Sequence, residues 1–401
     1  MRVLFLTSRL PYPPHRGDRV RTFNFLREFA SRHDVHLLSF VEGEEDRAAA
    51  AGLDDLCSHE FVTLSKQRSL MNIAAHALSP HPYQVLYYRS SQMQRAVGEA
   101  LANGQYDLVY VHLFRMAPIL VSAVERDVSG ARRVRAVLDL TDSVASEIEL
   151  SIRHRPVATR LPYVWECRKI RALERSVLPR FDEGWVISGA DRDDVLATSP
   201  GARIEVVPNG VDESLFELEP PESASSTVVF VGNLSVPHNI DAVAFLVRRV
   251  MPRLRDRVPD ACLRVVGQGA GDGVKDVCSS AAWCSLLGFV PDLRDAYRGA
   301  AAFAAPLRFA AGVQNKMLES MAAGVPVVTT SVGNRGLTAE PDREIIIADD
   351  PEAFARGLAC VLTDTGRRLA LSRDGRRFVS GGFSWSHAVD RAEAIVGGEH
   401  D

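Results

Sequence analysis

A chain of 401 residues has room for two domains of ordinary size, each burying its own core. Hydrophobic residues at 46%, charged residues at 24% and a formal net charge of −4 describe a globular chain and argue against a general nucleic-acid binder. The six cysteines (Cys57, Cys167, Cys262, Cys278, Cys284 and Cys360) lack paired metal-ligand spacing and read as thiols in a reducing cytoplasm.

In chain order, the first apolar run, Val3–Thr7, reads as a buried strand. It is too short for a secretion signal, and no small-residue cleavage site follows it. No run approaches the roughly 20 apolar residues of a membrane span. The expected location is therefore cytosolic, at most peripheral to the inner face of a membrane. Arg16–Gly17–Asp18 then leads into a predicted helix over Arg19–Arg32. Further strands are predicted at Val35–Phe40, Phe61–Leu64, Leu108–Val111, Val134–Asp139, Gly184–Ser188 and Ile204–Val207. Several are apolar on both faces, as parallel strands covered by helices should be. His112 stands at the end of one strand, in YDLVYVHLF, and Asp139 and Asp142 at the end of another, in LDLTDSVASE. Asp139 can simply end its strand, and Asp142 can cap the helix that follows. Asp142 reaches further beyond the strand end and is the acceptor-side candidate.

Between Pro156 and Arg180 runs one long, arginine-rich helical stretch. Ser151–Arg180 holds eight Lys or Arg against Glu166 and Glu174, which fits a solvated helix face. It also fits a surface for anionic lipid, with Leu161, Tyr163 and Trp165 as apolar anchors. The turn Pro208–Asn209–Gly210 and the polar, proline-bearing Glu217–Thr227 mark a domain boundary. The expected division is a first domain over 1–207, a linker over 208–227, a second domain over 228–382 and a closing helix within 383–401. The second series of strands is predicted at Val228–Val231, Cys262–Val266, Ser285–Phe289, Ala301–Pro306, Val325–Thr330 and Ile345–Ala348. Two βα series joined by one linker predict an α/β chain of two facing, Rossmann-like, doubly wound parallel-sheet domains, with a cleft between their strand ends.

Pro306–Thr330, PLRFAAGVQNKMLESMAAGVPVVTT, carries the most chemistry. Gly312 is predicted to open the helix, leaving its first N–H groups free to face a ligand. No Asp or Glu lies between Leu307 and Leu318, and Lys316 sits in the first turn, where a cation is normally disfavoured. A positive helix end, a bare glycine approach and an added lysine together attract an anion. Arg308, eight residues before Lys316, adds a guanidinium that can hold two phosphate oxygens. Glu319 shares a face with Lys316 (i, i+3) and offers an acceptor beside that anion. Phosphate plus a hydroxyl-bearing ring indicates a nucleoside diphosphate with its ribose on Glu319.

This block resembles the donor-binding segment of retaining glycosyltransferases of family 4, which have the two-domain GT-B fold. GVQNKMLESMAAGVPVV is similar to the branch associated with the exosortase (PEP-CTERM) exopolysaccharide system. The likeness extends to PYPPHRGDRVRTFNFL at Pro11–Leu26, VVPNGVD at Val206–Asp212 and LGFVPDLRDAY at Leu287–Tyr297. It implies a transferase that needs no cofactor or metal and moves a sugar from a nucleotide diphosphate sugar to a glycan or polyprenyl-linked acceptor. No Asp-x-Asp metal motif sits at a strand end, which fits that implication. The resemblance implies that His112 lies near the transferred sugar, Asp142 near the acceptor, and Lys316 at the leaving diphosphate. It places Gly17, Asn209, Gly232, Gly312, Val313 and Gln314 on the donor side with Arg308, Lys316 and Glu319.

Three places depart from the family pattern. Arg16 stands where members usually have a glycine, and Ala311 where many carry a glutamate to the donor sugar. Asn233 and His238 stand where members often place an arginine and a lysine for the diphosphate. Two other readings share the fold: a nucleotide-sugar epimerase, and a non-catalytic nucleotide-sugar-binding scaffold, which Ala311, Asn233 and His238 support.

Overall fold

The computed structural model describes residues 1–14, 17–126, 134–153, 156–219, 225–310 and 312–398. The chain divides into two compact units, Met1–Pro208 with Val389–Asp401, and Asn209–Ala388.

The first unit is built on seven strands: β1 (Arg2–Thr7), β2 (Asp34–Val41), β3 (Ser58–Thr63), β4 (Leu108–His112), β5 (Arg135–Thr141), β6 (Glu183–Val186) and β7 (Ile204–Val206). Their order is β3-β2-β1-β4-β5-β6-β7 and every pairing is parallel. The central strand β4 is buried along its whole length, whereas in the edge strand β3 only Val62 is buried. That contrast follows from helices covering both faces of the middle of a parallel sheet. Phe5, Phe25, Phe29, Tyr110 and Trp185 fill the space against the helix Gly17–Ala30, with the Phe5 and Tyr110 rings 4.5 Å apart. Beneath them Arg21 donates to Asp139 at 2.7 Å, both side chains fully buried, and the Tyr110 hydroxyl donates to the same carboxylate.

The second unit carries β8 (Thr227–Val231), β9 (Cys262–Val266), β10 (Cys284–Gly288), β11 (Ala302–Ala305), β12 (Val327–Thr329) and β13 (Ile346–Ile347). Their order is β10-β9-β8-β11-β12-β13, again all parallel. All thirteen strands expected from the sequence are present, β9 with the expected bounds and the others with ends displaced by at most three residues. The arginine-rich helix spans Arg160–Val177, shorter than expected because Val157–Thr159 forms a separate tight turn ahead of it. The last helix, Trp385–Gly397, passes from the second unit into the first at Val389. There Asp390 and Glu393 accept from Arg32 at 2.6 and 2.9 Å, and the Ile395 carbonyl accepts from Arg135 at 3.0 Å.

In each sheet the strand order reverses once, between β1 and β4 in the first unit and between β8 and β11 in the second. Loops leaving neighbouring strands at such a point diverge to opposite faces, and the gap beyond the strand ends is where open α/β sheets bind ligands.

Candidate functional site

In the second unit the expected donor residues gather beyond the ends of β8, β9 and β11. Gly232 follows β8, and the backbone after β9 passes against it. A Cβ on Gly267 would lie 1.8 Å from the Gly232 carbonyl oxygen, and its φ of +149° favours glycine in any case. Asn233 then forms a tight turn, accepting on its side-chain oxygen from the backbone N–H of Ser235 at 3.0 Å. The turn feeds the helix Pro237–Phe245, whose proline sits in the first turn, where its missing N–H is harmless.

The helix after β11 begins at Asn315 rather than at Gly312. Gly312 has φ +65°, outside the helical region, so the chain turns there and Gln314 takes the position before the first helical residue. The expectation that Gly312 opens the helix is corrected by three residues. Gly312 serves instead as a point of close approach, since a Cβ on Gly336 would lie 2.3 Å from its carbonyl oxygen. Val313 is buried and Gln314 partly so. Ala311 and Arg16 lie outside the described residues.

Lys316 is the second residue of this helix and only 9% exposed. Its ammonium donates to Asn239 Oδ1 at 2.6 Å and to Gln314 Oε1 at 3.0 Å, and lies 5.8 Å from the centre of the Phe230 ring. Both of these hydrogen-bonded oxygens belong to neutral amides and fix the position of the ammonium. Burial and the nearby Lys316 push the His238 imidazole down to about 3, so it is uncharged at neutral pH. In this cluster a cation at 238 is replaced by a neutral ring.

Glu319, one turn on, accepts from the Tyr297 hydroxyl at 3.3 Å, and that hydroxyl also lies 3.1 Å from the Lys316 carbonyl. Burial raises the Glu319 carboxyl to about 7; Tyr297 and Lys316 oppose the rise and Asp212 adds to it. Asp212 closes the VVPNGVD motif, and Asn209 of the same motif donates to Asn315 Oδ1 at 2.9 Å. The structure thus joins two motifs more than a hundred residues apart at one helix start. Arg308 donates through Nε to Asp241 at 2.8 Å, makes a second bond to it through Nη2, and stacks over Phe245. Its guanidinium is thus paired with a carboxylate, a partner that no motif in the chain pointed to.

The first unit holds Gly17, His112 and Asp142. Gly17 starts the helix Gly17–Ala30. Five residues on, the Thr22 hydroxyl meets the His112 ring at 3.0 Å, and the Thr141 hydroxyl is 3.4 Å from His112 Nε2. Leu113 and Thr141, at the ends of β4 and β5, have φ of +73° and +66°. Such angles are costly for residues with a branched side chain and cluster at functional sites. Asp142 is raised well above the ordinary carboxylate range, first by burial and then by Glu147 and Asp191, with Arg115 opposing. The structure separates it from Asp139, which the buried Arg21 and the Tyr110 hydroxyl hold as an internal ion pair.

Two family models match the chain: Glycosyltransferase Family 4 over residues 16–215 and Glycosyl transferases group 1 over residues 225–364. It belongs to the glycosyltransferases that they describe. A GDP-mannose-dependent alpha-(1-6)-phosphatidylinositol monomannoside mannosyltransferase of Mycobacterium tuberculosis is 26% identical over 99% of this chain and 98% of its own. An uncharacterized 44.6 kDa protein in the cps region of Klebsiella pneumoniae is 24% identical over 88% and 89%. Among solved structures, Anabaena HepE in complex with UDP and glucose superposes with a TM-score of 0.66 at 16% identity, covering 99% of both chains. Sucrose-phosphate synthase of Thermosynechococcus elongatus gives 0.70 at 15%, covering 98% of both. The two parallel-sheet units are those of GT-B glycosyltransferases.

Several residues of the glycosyltransferase's strand-end clusters went unnoticed in the sequence. Asn239 holds Lys316 from 77 positions away, Tyr297 holds Glu319 from 22, and Thr22 meets His112 from 90. Tyr297 and Thr22 lie within stretches that resemble the family and Asn239 follows His238, which is the signal that could have flagged them.

Proposed function

We propose that this glycosyltransferase is of the retaining, metal-independent family 4 type. It moves a sugar from a nucleotide diphosphate sugar to a glycan or lipid-linked acceptor, in exopolysaccharide or other cell-surface glycan synthesis on the cytoplasmic side. The observation that carries this is the buried Lys316 ammonium on two neutral amides, one turn from a carboxyl that Tyr297 holds. A fixed, buried cation at a helix start suits charge that grows on a leaving diphosphate. Glu319 suits the ribose hydroxyls, and Arg308 can turn one edge of its guanidinium to phosphate. Gly232 and Gly312 let backbone approach the ligand, while Gly17, Asn209, Val313 and Gln314 shape the loops around it. His112 acts beside the sugar and Asp142 beside the acceptor. The acceptor oxygen bonds to the anomeric carbon as the bond to the diphosphate oxygen breaks. The acceptor's proton leaves to that diphosphate on the same face.

The HepE structures with UDP and with UDP-glucose support a uridine donor, and the mannosyltransferase supports a guanosine one. The Klebsiella relative in a cps region supports surface polysaccharide. The neutral His238 favours a second reading, a nucleotide-sugar binder without turnover. A melting panel with UDP-, GDP- and ADP-sugars should show one base stabilising the protein by mass action. With that donor, slow hydrolysis in EDTA should release nucleoside diphosphate and a sugar of unchanged anomeric configuration. Stabilisation without any turnover would leave the binder; free isomerised sugar would indicate an epimerase.

A further inference from the structure

Large apolar side chains left in solvent are concentrated in one part of the first unit. Of the thirteen markedly exposed ones among the described residues, six are Leu70, Met71, Leu78, Val157, Leu161 and Trp165. Leu78 is 86% exposed and Leu161 78%, figures that leave almost no protein contact for either. The two segments that carry them touch. Lys169 donates to the Ala77 carbonyl at 3.2 Å and lies over the rings of both Tyr83 and Trp165, at 4.7 and 5.1 Å. Leu161, Trp165 and Lys169 are spaced four apart on the helix Arg160–Val177, so they share one face. The residue after Ala77 is Leu78, which brings the turn behind the helix Lys66–Ala75 against that face.

Within these two segments the exposed charge is positive, and the acids that pair with it come from neighbouring elements, such as Glu42 at Lys66 and Glu149 at Arg171. No Asp or Glu occurs from Phe61 to Gly98, a stretch that holds Lys66, Arg68, Arg89 and Arg95. In Ser151–Arg180 the only acidic residues are Glu166 and Glu174, and both are buried. Glu166 spends its carboxylate inward, accepting from the Tyr83 backbone N–H at 2.7 Å. Arg153, Arg168 and Arg175 are exposed. The acids of both segments thus turn inward or are lacking, while the apolar side chains and all of the described cations but the buried Lys169 and the half-buried Arg160 and Arg171 lie open to solvent. A soluble surface has no reason to sort its charges in this way. A bilayer has both features, an apolar interior just beneath a negatively charged headgroup layer.

We propose that this face, formed by the Lys66–Leu78 segment and the first turns of the Arg160–Val177 helix, docks the protein on an anionic lipid bilayer. It deepens the reading of a lipid-linked acceptor by naming where the membrane would be met, although the docking itself does not depend on the donor site. The acceptor candidate is close by. Arg115, which faces Asp142, donates to Gln84 at 2.8 Å, and Gln84 adjoins the Tyr83 that covers Lys169. Each cation near such a surface contributes about 1 kcal/mol, roughly a fivefold change in partition, and the effect fades within a Debye length of about 10 Å at 0.1 M salt.

The test uses the full chain with vesicles of phosphatidylcholine alone or mixed equally with phosphatidylglycerol. Flotation should recover the protein with the mixed vesicles only, and recovery should fall as salt rises. Trp165 emission should shift to the blue on binding, a shift that Trp165→Phe removes. Leu78→Glu with Leu161→Glu, both at open positions, should leave the melting temperature unchanged and lower the partition at least about tenfold. Lys316→Met should float like the parent, which separates this proposal from the donor reading. Equal binding to both vesicle types, or full binding by the double variant, overturns it. So does a concentration-dependent dimer that the double variant abolishes without any vesicle binding, because the face would then belong to a second copy of the chain.

Discussion

Replacing Lys316 with Met tests whether the buried ammonium serves the ligand or the fold. From sequence alone the change should be neutral or slightly stabilising, because a cation in a first helical turn opposes the dipole by about 0.3–1 kcal/mol. The structure changes that estimate. Lys316 is the donor to Asn239 Oδ1, and Asn239 is itself only 4% exposed. Removing the donor leaves a buried acceptor unsatisfied, at about 1–3 kcal/mol. Met keeps the aliphatic stem and can pack near Phe230, so the net loss should be about 1–2 kcal/mol. For a unit of this size that lowers the melting temperature by about 2–4 °C per kcal/mol. Turnover should fall much further, by about 10²–10³, since the lost contact is the one aimed at charge developing in the transition state. Calorimetric melting, nucleotide titration and single-turnover rates on one preparation separate the two effects. Asn239→Ala supplies the control, because it loosens Lys316 but keeps its charge and should cost less in rate. A folded Lys316→Met protein with parental turnover would refute the reasoning, as would an Asn239→Ala loss equal to that of Lys316→Met.

Other residues give sharper pH and charge tests. Glu319 has its carboxyl raised from 4.5 to about 7, so the native state holds a proton that the unfolded chain has released. Its contribution to stability is therefore greatest below about 4.5 and is lost as pH rises to about 7. Binding should run the other way: an ionised Glu319 accepts from both ribose hydroxyls, so nucleotide-sugar affinity should climb between about pH 6 and 8. A calorimetric titration with Glu319→Gln should be flat over that range, and an unchanged slope would remove Glu319 from the site. His238→Lys restores a cation beside Lys316; it should lower the ligand-free melting temperature and tighten nucleoside diphosphate binding about tenfold, for one extra charge-assisted hydrogen bond of about 1.5–3 kcal/mol less repulsion. Weaker binding measured by the same titration would show that the diphosphate lies elsewhere. Arg21→Met strands the fully buried Asp139 and should destabilise the first unit by about 3–5 kcal/mol in urea melts. A loss below about 1 kcal/mol would show that the Arg21–Asp139 pair does not hold this core together.

The strands were legible because a parallel sheet covered on both faces requires continuous apolar runs, as in VLFL of β1 and VVFV of β8, and such runs survive without any knowledge of their neighbours. The helix start at Asn315 was not, since nothing in GVQNK says that Gly312 takes φ +65° and turns the chain before the helix begins. Asp139, within β5, and Asp142, just after it, mark the limit more sharply. In sequence both read as strand-end residues, but the strand runs on to Thr141, and bonds from Arg21, 118 residues away, and from the Tyr110 hydroxyl make Asp139 part of the core. Asp142, three residues on, is left among Glu147, Asp191 and Arg115. The same holds for the departures at Asn233 and His238. In sequence they look like two missing charges. In the structure Asn233 builds the turn that accepts from Asn239, and Asn239 in turn holds the Lys316 ammonium. His238, kept neutral by burial and by that same lysine, cannot replace the absent cation. The positive charge of this site is therefore concentrated on Lys316 and on whatever Arg308 can share with Asp241. That makes Lys316 the residue on which the donor reading depends most.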